Sequence, residues 1–111
     1  MGRRSRRRAQ PAGTTDYTDA EGNVLTLRDS LSPGTLRKLA EAVGSAASTS
    51  DDVWQRQGEM LFERLAVSWT IAGLPLTGQK ELLGRYRMAD SETRRWVRDT
   101  LERHLETLSS R

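Results

Sequence analysis

His104 is the only histidine of the chain, and there is no cysteine. A protein metal site draws three or four ligands from His, Cys and carboxylates. A single imidazole set among Leu101, Leu105 and Leu108 therefore reads as a half-exposed structural side chain, and neither metal nor cofactor is expected. Nucleophilic catalysis needs a hydroxyl or thiol with a base and an orienting group, and the Ser and Thr residues here fall at cap and loop positions. The carboxylate pair Asp51-Asp52 suits the positive end of a helix dipole better than acid–base work. Gly78 and Gly84 are isolated, and no glycine-rich run leads into a Lys-Ser or Lys-Thr that would cradle phosphate. These residue types point away from an enzyme.

Arginine is the other chemistry-bearing residue. The 111 residues carry a formal charge of +3, but Arg3, Arg4, Arg6, Arg7 and Arg8 alone carry +5, so the rest of the chain sums to about −2. Such an arm binds DNA, RNA or anionic lipid by releasing counterions, or else it is only a solubilising leader. A second nucleic-acid feature is the helix pair 78–88 and 91–108, joined by Ala89-Asp90, with helix-turn-helix proportions. Arg94, Arg95 and Arg98 sit near the start of its second helix, where recognition residues lie. Asp90, Glu92 and Asp99 crowd the same end and oppose contact with phosphate.

Among the three tryptophans, Trp69 lies inside an apolar run and reads as core. Trp96 adjoins Val97 but falls off its helix's apolar stripe. Interface hot spots favour Trp, Tyr and Arg, so Trp96 is the candidate partner-facing anchor, with edge packing as the alternative.

The elements that would hold these residues follow from periodicity. Residues 1–15 read as a disordered, Arg-rich leader. No apolar run approaches the ~18 residues of a membrane span, and no hydrophobic segment follows the arginines as in a secretory signal. A cytoplasmic chain with no membrane partner is the expectation. Residues 16–108 form one domain. In it Tyr17-Thr18 and Val24–Leu27 make a hairpin around Asp19–Asn23, whose Gly22 and Asn23 accept positive φ. A lone hairpin is marginal in water, so it should pack on helices or join another chain's sheet.

Ser32 caps a short helix with Pro33 in its first position and Leu36, Leu39, Ala40 and Val43 on one face, ending at Gly44. After the small, polar linker 44–50, Thr49 caps a second helix with Asp52 three residues on. From Val53 to Ala72 apolar residues cover much of the circumference, which predicts a central buried helix ~30 Å long, stopped by Gly73-Leu74-Pro75. Thr77 caps the third helix, with Leu82, Leu83 and Tyr86 inward. Asp90 or Ser91 caps the fourth, with Val97, Leu101, Leu105 and Leu108 inward and Arg94, Arg95, Arg98, Glu102 and Glu106 on its wet face. The predicted architecture is mostly α: an N-terminal β-hairpin followed by four helices. A domain this small buries a modest core, so oligomer formation or partner binding would stabilise it.

The passage GNVLTLRDSLSPGTLRKL, followed by LFERLAVSWTIAGLPLT and LLGRYRMADSETRRWV, resembles the small tail assembly chaperones of long-tailed phages and prophages, particularly those of actinobacterial hosts, over about residues 20–105. The resemblance implies a non-enzymatic role: such chaperones coat the long helical tape measure protein until tail tube subunits polymerise around it. A longer product of translational frameshifting often accompanies the short form. The arginine leader is not part of the resemblance, and no residue set carries over from the family.

A helical partner would dock its apolar face in a groove between helices. The sequence places that groove between the 53–72 helix and the last one, edged by Trp96, Tyr86 and Arg87. The alternatives are a small DNA-binding or structural phage protein using the Arg arm and the last two helices, or a head–tail connector component.

Overall fold

The computed structural model describes residues 13–46 and 51–109, with side chains at 13–42 and 55–109. The arginine run, the Thr49 cap and the Trp54 side chain lie outside the described residues. The described order is β1 (Thr14–Thr18), β2 (Val24–Arg28), α1 (Pro33–Ala46), α2 (Asp51–Leu65), β3 (Ala66–Ile71), β4 (Leu74–Leu76), α3 (Gln79–Met88) and α4 (Ser91–Ser109). The strands form one antiparallel sheet in the order β1-β2-β3-β4. Helices and sheet share one core.

The N-terminal hairpin forms as its turn chemistry predicts, although its first strand begins at Thr14, inside the segment assigned to the leader. Asp19 organises the turn: its carboxylate accepts from the backbone N–H groups of Glu21 and Asn23 at 2.9 and 3.0 Å, and Gly22 takes φ +86°. Instead of seeking another chain, the hairpin pairs with β3 of its own chain. Tyr17, Leu25, Trp69 and Leu76 line up in register across all four strands, and Leu25 and Trp69 are fully buried beneath the helices. The opposite face carries Asp16, Thr26 and Ser68 in register, with the Thr26 hydroxyl donating to Asp16 at 2.7 Å. One buried face and one wet face is the usual condition of an antiparallel sheet.

The continuous helix expected from Val53 to Ala72 does not exist. Helix α2 stops at Leu65, and the next residue opens β3. The segment Ala66-Val67-Ser68-Trp69-Thr70-Ile71 is rich in β-branched and aromatic residues, which fit a pleated surface. Its apolar spacing looked helical because of a β-bulge. Leu25 and Leu27, two residues apart on β2, face Trp69 and Ala66, three residues apart on β3. The extra residue stretches a period of two into a spacing of three, which is the near-helical interval. The orphan carbonyls at the end of α2 find side-chain donors: Arg28 Nε reaches the Arg64 carbonyl at 3.1 Å and Gln79 Nε2 the Glu63 carbonyl at 3.0 Å.

Gly73-Leu74-Pro75, expected to stop a helix, instead belongs to a hairpin, with Ala72-Gly73 as its turn and Leu74 and Pro75 in β4. Ala72 and Gly73 have φ of 52° and 81°, the pair of positive values that defines a type I′ turn matched to the twist of its strands. Helix α1 runs past Gly44 to Ala46 and opens with Thr35 N–H donating to Ser32 Oγ at 3.2 Å. Helix α3 begins at Gln79 with Gly78 as N-cap and no side-chain cap, so Thr77 does not cap it. Helix α4 is capped by Asp90, which accepts from Thr93 N–H at 2.8 Å. That bond draws the Asp90 carboxyl below its ordinary pKa. Val97, Leu101, Leu105 and Leu108 are all buried. Among the described residues no helix is long and apolar enough to cross a membrane.

Ala72 holds a left-handed conformation that costs a Cβ-bearing residue on the order of 1 kcal/mol. Ala72→Asn, which creates the preferred Asn-Gly pair, is expected to raise the unfolding free energy by about 1 kcal/mol in denaturant titration. In a helix the same change would lower it, because Asn is the poorer helix former.

Candidate functional site

His104 is 1 % exposed, not half-exposed. Its Nε2 lies 2.6 Å from the Arg28 carbonyl oxygen and its Nδ1 2.7 Å from the Tyr17 hydroxyl. A carbonyl only accepts, so Nε2 carries a proton, and in the neutral ring Nδ1 accepts from Tyr17. The Asp29 carboxylate stands 3.6 Å from Nε2 and accepts from Thr15 Oγ1 at 2.5 Å. Burial, then the charge of Asp29, pushes the Tyr17 hydroxyl's pKa up, which keeps it a neutral donor. Both ring nitrogens are engaged, so the imidazole pins α4 to β1 and to the end of β2 and leaves no nitrogen for a substrate. Among the described residues no group of three His, Cys, Asp or Glu side chains is placed to hold a metal.

The three residues expected to edge a partner groove do not meet. Tyr86 is fully buried, stacked on Phe62 with ring centroids 4.9 Å apart and planes 9° apart. Burial pushes its hydroxyl's pKa up. Arg87 is exposed and pairs with Glu59 of α2 at 2.9 Å. Trp96 is half-buried and faces elsewhere. The groove between a 53–72 helix and α4 is lost with that helix, since residues 66–71 form strand β3.

The arginines proposed for DNA separate as well. Arg94 is half-buried and Arg95 exposed, whereas Arg98, assigned to the wet face, is 1 % exposed and bound through Nε to Glu102 at 2.5 Å. Its place depends on Gly58 of α2. A Cβ there would sit 2.6 Å from Tyr86 Oη and 3.2 Å from Arg98 Nη1, so a glycine inside a helix, otherwise a small cost, is what lets α3 and α4 close on α2. A buried guanidinium cannot reach a base edge.

Among the described residues an open groove of about 960 Å³ runs along α4, with Ala40 of α1 on its other side. Trp96, Asp99, Arg103 and Glu106 follow one another along the helix at intervals of three and four residues, so they share one face, and all line the groove together with Glu102. Ala40, expected to face the core, is exposed here. The lining of the groove runs along α4 from Trp96 to Ser109, ~20 Å at 1.5 Å per residue. Trp96 was identified from sequence by its position off the apolar stripe. The acidic groove residues were hidden among ordinary surface charges, because nothing in the sequence says where α1 stops covering α4.

Comparisons with protein-family models, with curated proteins and with solved structures gave no match.

Two measurements check this geometry. His104→Phe keeps a ring but orphans the Tyr17 hydroxyl and the Arg28 carbonyl, and is expected to cost about 2 kcal/mol in denaturant unfolding, with Tyr17→Phe costing less. The Glu59 carboxyl is held below its usual range, mainly by the hydrogen bond from Arg87, against burial that raises it and with help from Gln55. A depressed carboxylate stabilises the fold above its unfolded pKa of ~4.3 and loses that contribution as pH falls through its folded value. Wild type should therefore be slightly more stable than Arg87→Gln at pH 7, and the two thermal unfolding curves should converge as the pH is taken below about 4.

Proposed function

We propose that this chain is a non-enzymatic binding and assembly protein whose groove along α4 receives a helical segment of a larger partner. The observation that carries the reading is an open groove along α4, from Trp96 to Ser109, with a Trp on its wall, a side chain enriched at binding hot spots. The imidazole is committed to hydrogen bonds with Tyr17 and the Arg28 carbonyl. In the finer reading, which rests on the resemblance of GNVLTLRDSLSPGTLRKL and the segments after it, the chain is a small tail assembly chaperone of a long-tailed phage or prophage. Its partner is then the helix-rich tape measure protein, bound in the cytoplasm of the host before the tail tube closes around it.

The test is affinity capture of the full-length chain from a nuclease-treated native lysate, with the bound proteins identified by mass spectrometry. Recovery of a very long helical protein together with tail tube subunits supports the chaperone reading; loss of all partners on nuclease treatment overturns it. Trp96→Ala is expected to weaken capture about thirtyfold, the loss of a hot spot of ~2 kcal/mol, and to shift the melting temperature far less than Leu101→Ala. Unfolding of the Trp96 variant would make that residue part of the core and remove the site.

A further inference from the structure

The two edges of the sheet are unlike. At β4 the type I′ turn makes Ile71 and Leu74 a hydrogen-bonded pair, and Trp69 and Leu76 form the next one. Pro75, between them, is the residue of β4 whose backbone turns outward, and proline has no N–H to offer another strand. At β1 the Asp19 N–H donates to the Asn23 carbonyl at 2.9 Å, and the Gly13 carbonyl accepts from the Asp29 N–H at 2.6 Å. These two bonds fix the alternation: Thr15 and Tyr17 bond to β2, whereas Asp16 and Thr18 turn their N–H and C=O groups away from it. Both are exposed, and among the described residues no strand lies beyond β1. The hairpin thus meets β3 through β2 and keeps its outer side open. Prolines, bulges and lysines commonly close such an edge; β1, with the sequence TTDYT, has none of them.

We propose that β1 is a dimerisation edge, pairing antiparallel with β1 of a second copy of this chain about a two-fold axis between the two Tyr17 residues. Asp16 then stands opposite the partner's Thr18, and Thr18 opposite the partner's Asp16. Each of these two pairs exchanges two backbone hydrogen bonds. The strand is complementary to itself in this register. The Asp16 carboxylate already accepts from the Thr26 hydroxyl at 2.7 Å on one side, and the partner's Thr18 hydroxyl supplies a donor on the other. Tyr17 faces the partner's Tyr17 at a non-hydrogen-bonded position, where cross-strand side chains come closest. The row of Tyr17, Leu25, Trp69 and Leu76 then continues from one copy into the next. Sliding one strand by two residues would set Asp16 against the partner's Asp16, and like charges directly opposite are disfavoured. Both copies use the same edge and Pro75 closes the other, so assembly stops at two. The dimer is independent of what the groove along α4 receives.

The test uses the full chain in sedimentation velocity over a concentration series, with amide hydrogen exchange followed by NMR at both ends of the series. The contact is two short strands, well below a standard interface, so a reversible dimer at high concentration is the expected result. In it the Asp16 and Thr18 amides become protected, while those of Thr15 and Tyr17, already bonded to β2, are protected throughout. Thr18→Lys places an ammonium opposite the partner's Asp16 and should tighten the dimer about tenfold at low salt, from two pairs worth a few-fold each. Thr18→Asp should loosen it by a similar factor. Both shifts run against net charge, which is +3 in the wild type, so general repulsion would give the opposite order. Thr18→Pro copies Pro75 and removes an N–H that β2 does not use; it should abolish the dimer with little change in melting temperature. If that variant unfolds, Thr18→Lys and Thr18→Asp decide. A chain that stays monomeric at every concentration overturns the proposal, as does a dimer whose Asp16 and Thr18 amides exchange freely. A dimer with those amides protected but indifferent to Thr18→Lys and Thr18→Asp overturns the register, and with it the self-complementarity that selects a second copy.

Discussion

The sheet has one apolar face, and that face must be covered. Tyr17, Leu25, Trp69 and Leu76 cross the four strands in one row, and the central pair is removed from water altogether. Burying a side chain of the size of Leu or Trp stabilises the fold by on the order of 2–3 kcal/mol, so the row fixes where the helices can lie. Phe62 of α2 meets the Trp69 ring edge-on at 5.9 Å and stacks on Tyr86 of α3, which joins sheet, second helix and third helix through three aromatic rings. The bulge on β3 serves the same end, because it brings Ala66 and Trp69 both onto the covered face despite their spacing.

Around that apolar centre the polar groups are used as fasteners. His104 ties α4 to the first hairpin, Arg28 and Gln79 close the end of α2, and Glu59–Arg87 joins α2 to α3 at the surface. Arg98 is buried in the space left by Gly58. Its bond to Glu102, one turn along the same helix, joins a buried cation to an acid of the groove wall.

Much of the molecule could be read before its fold was known. The hairpin around Asp19–Asn23, the caps at Ser32 and Asp90, and the inward faces of α3 and α4 each follow from a local rule about turn residues, caps or a period of 3.6. Trp96 was also legible, as a large aromatic off its helix's stripe. The groove beside it was not. Periodicity already placed Tyr86 on the inward face of α3, but its stacking on Phe62 depends on α2, which the local sequence does not show. Arg98 sits among Arg94 and Arg95 in an evidently charged stretch, and only the gap at Gly58, forty residues earlier, takes it inside.

The sequence by itself determined the local structure: which segments turn, where most helices begin, and which side chains of the last helix are apolar enough to be buried. These depend on φ preferences, cap hydrogen bonds and periodicity, all of which act over a few residues. Tertiary structure decided the state of residues 66–71, because a bulged strand and an amphipathic helix share the same spacing and only a neighbouring strand with open hydrogen-bonding groups distinguishes them. It also decided the burial of Arg98 and His104 and the acidic groove. Each depends on what lies opposite a side chain, and here those partners come from forty or more residues away.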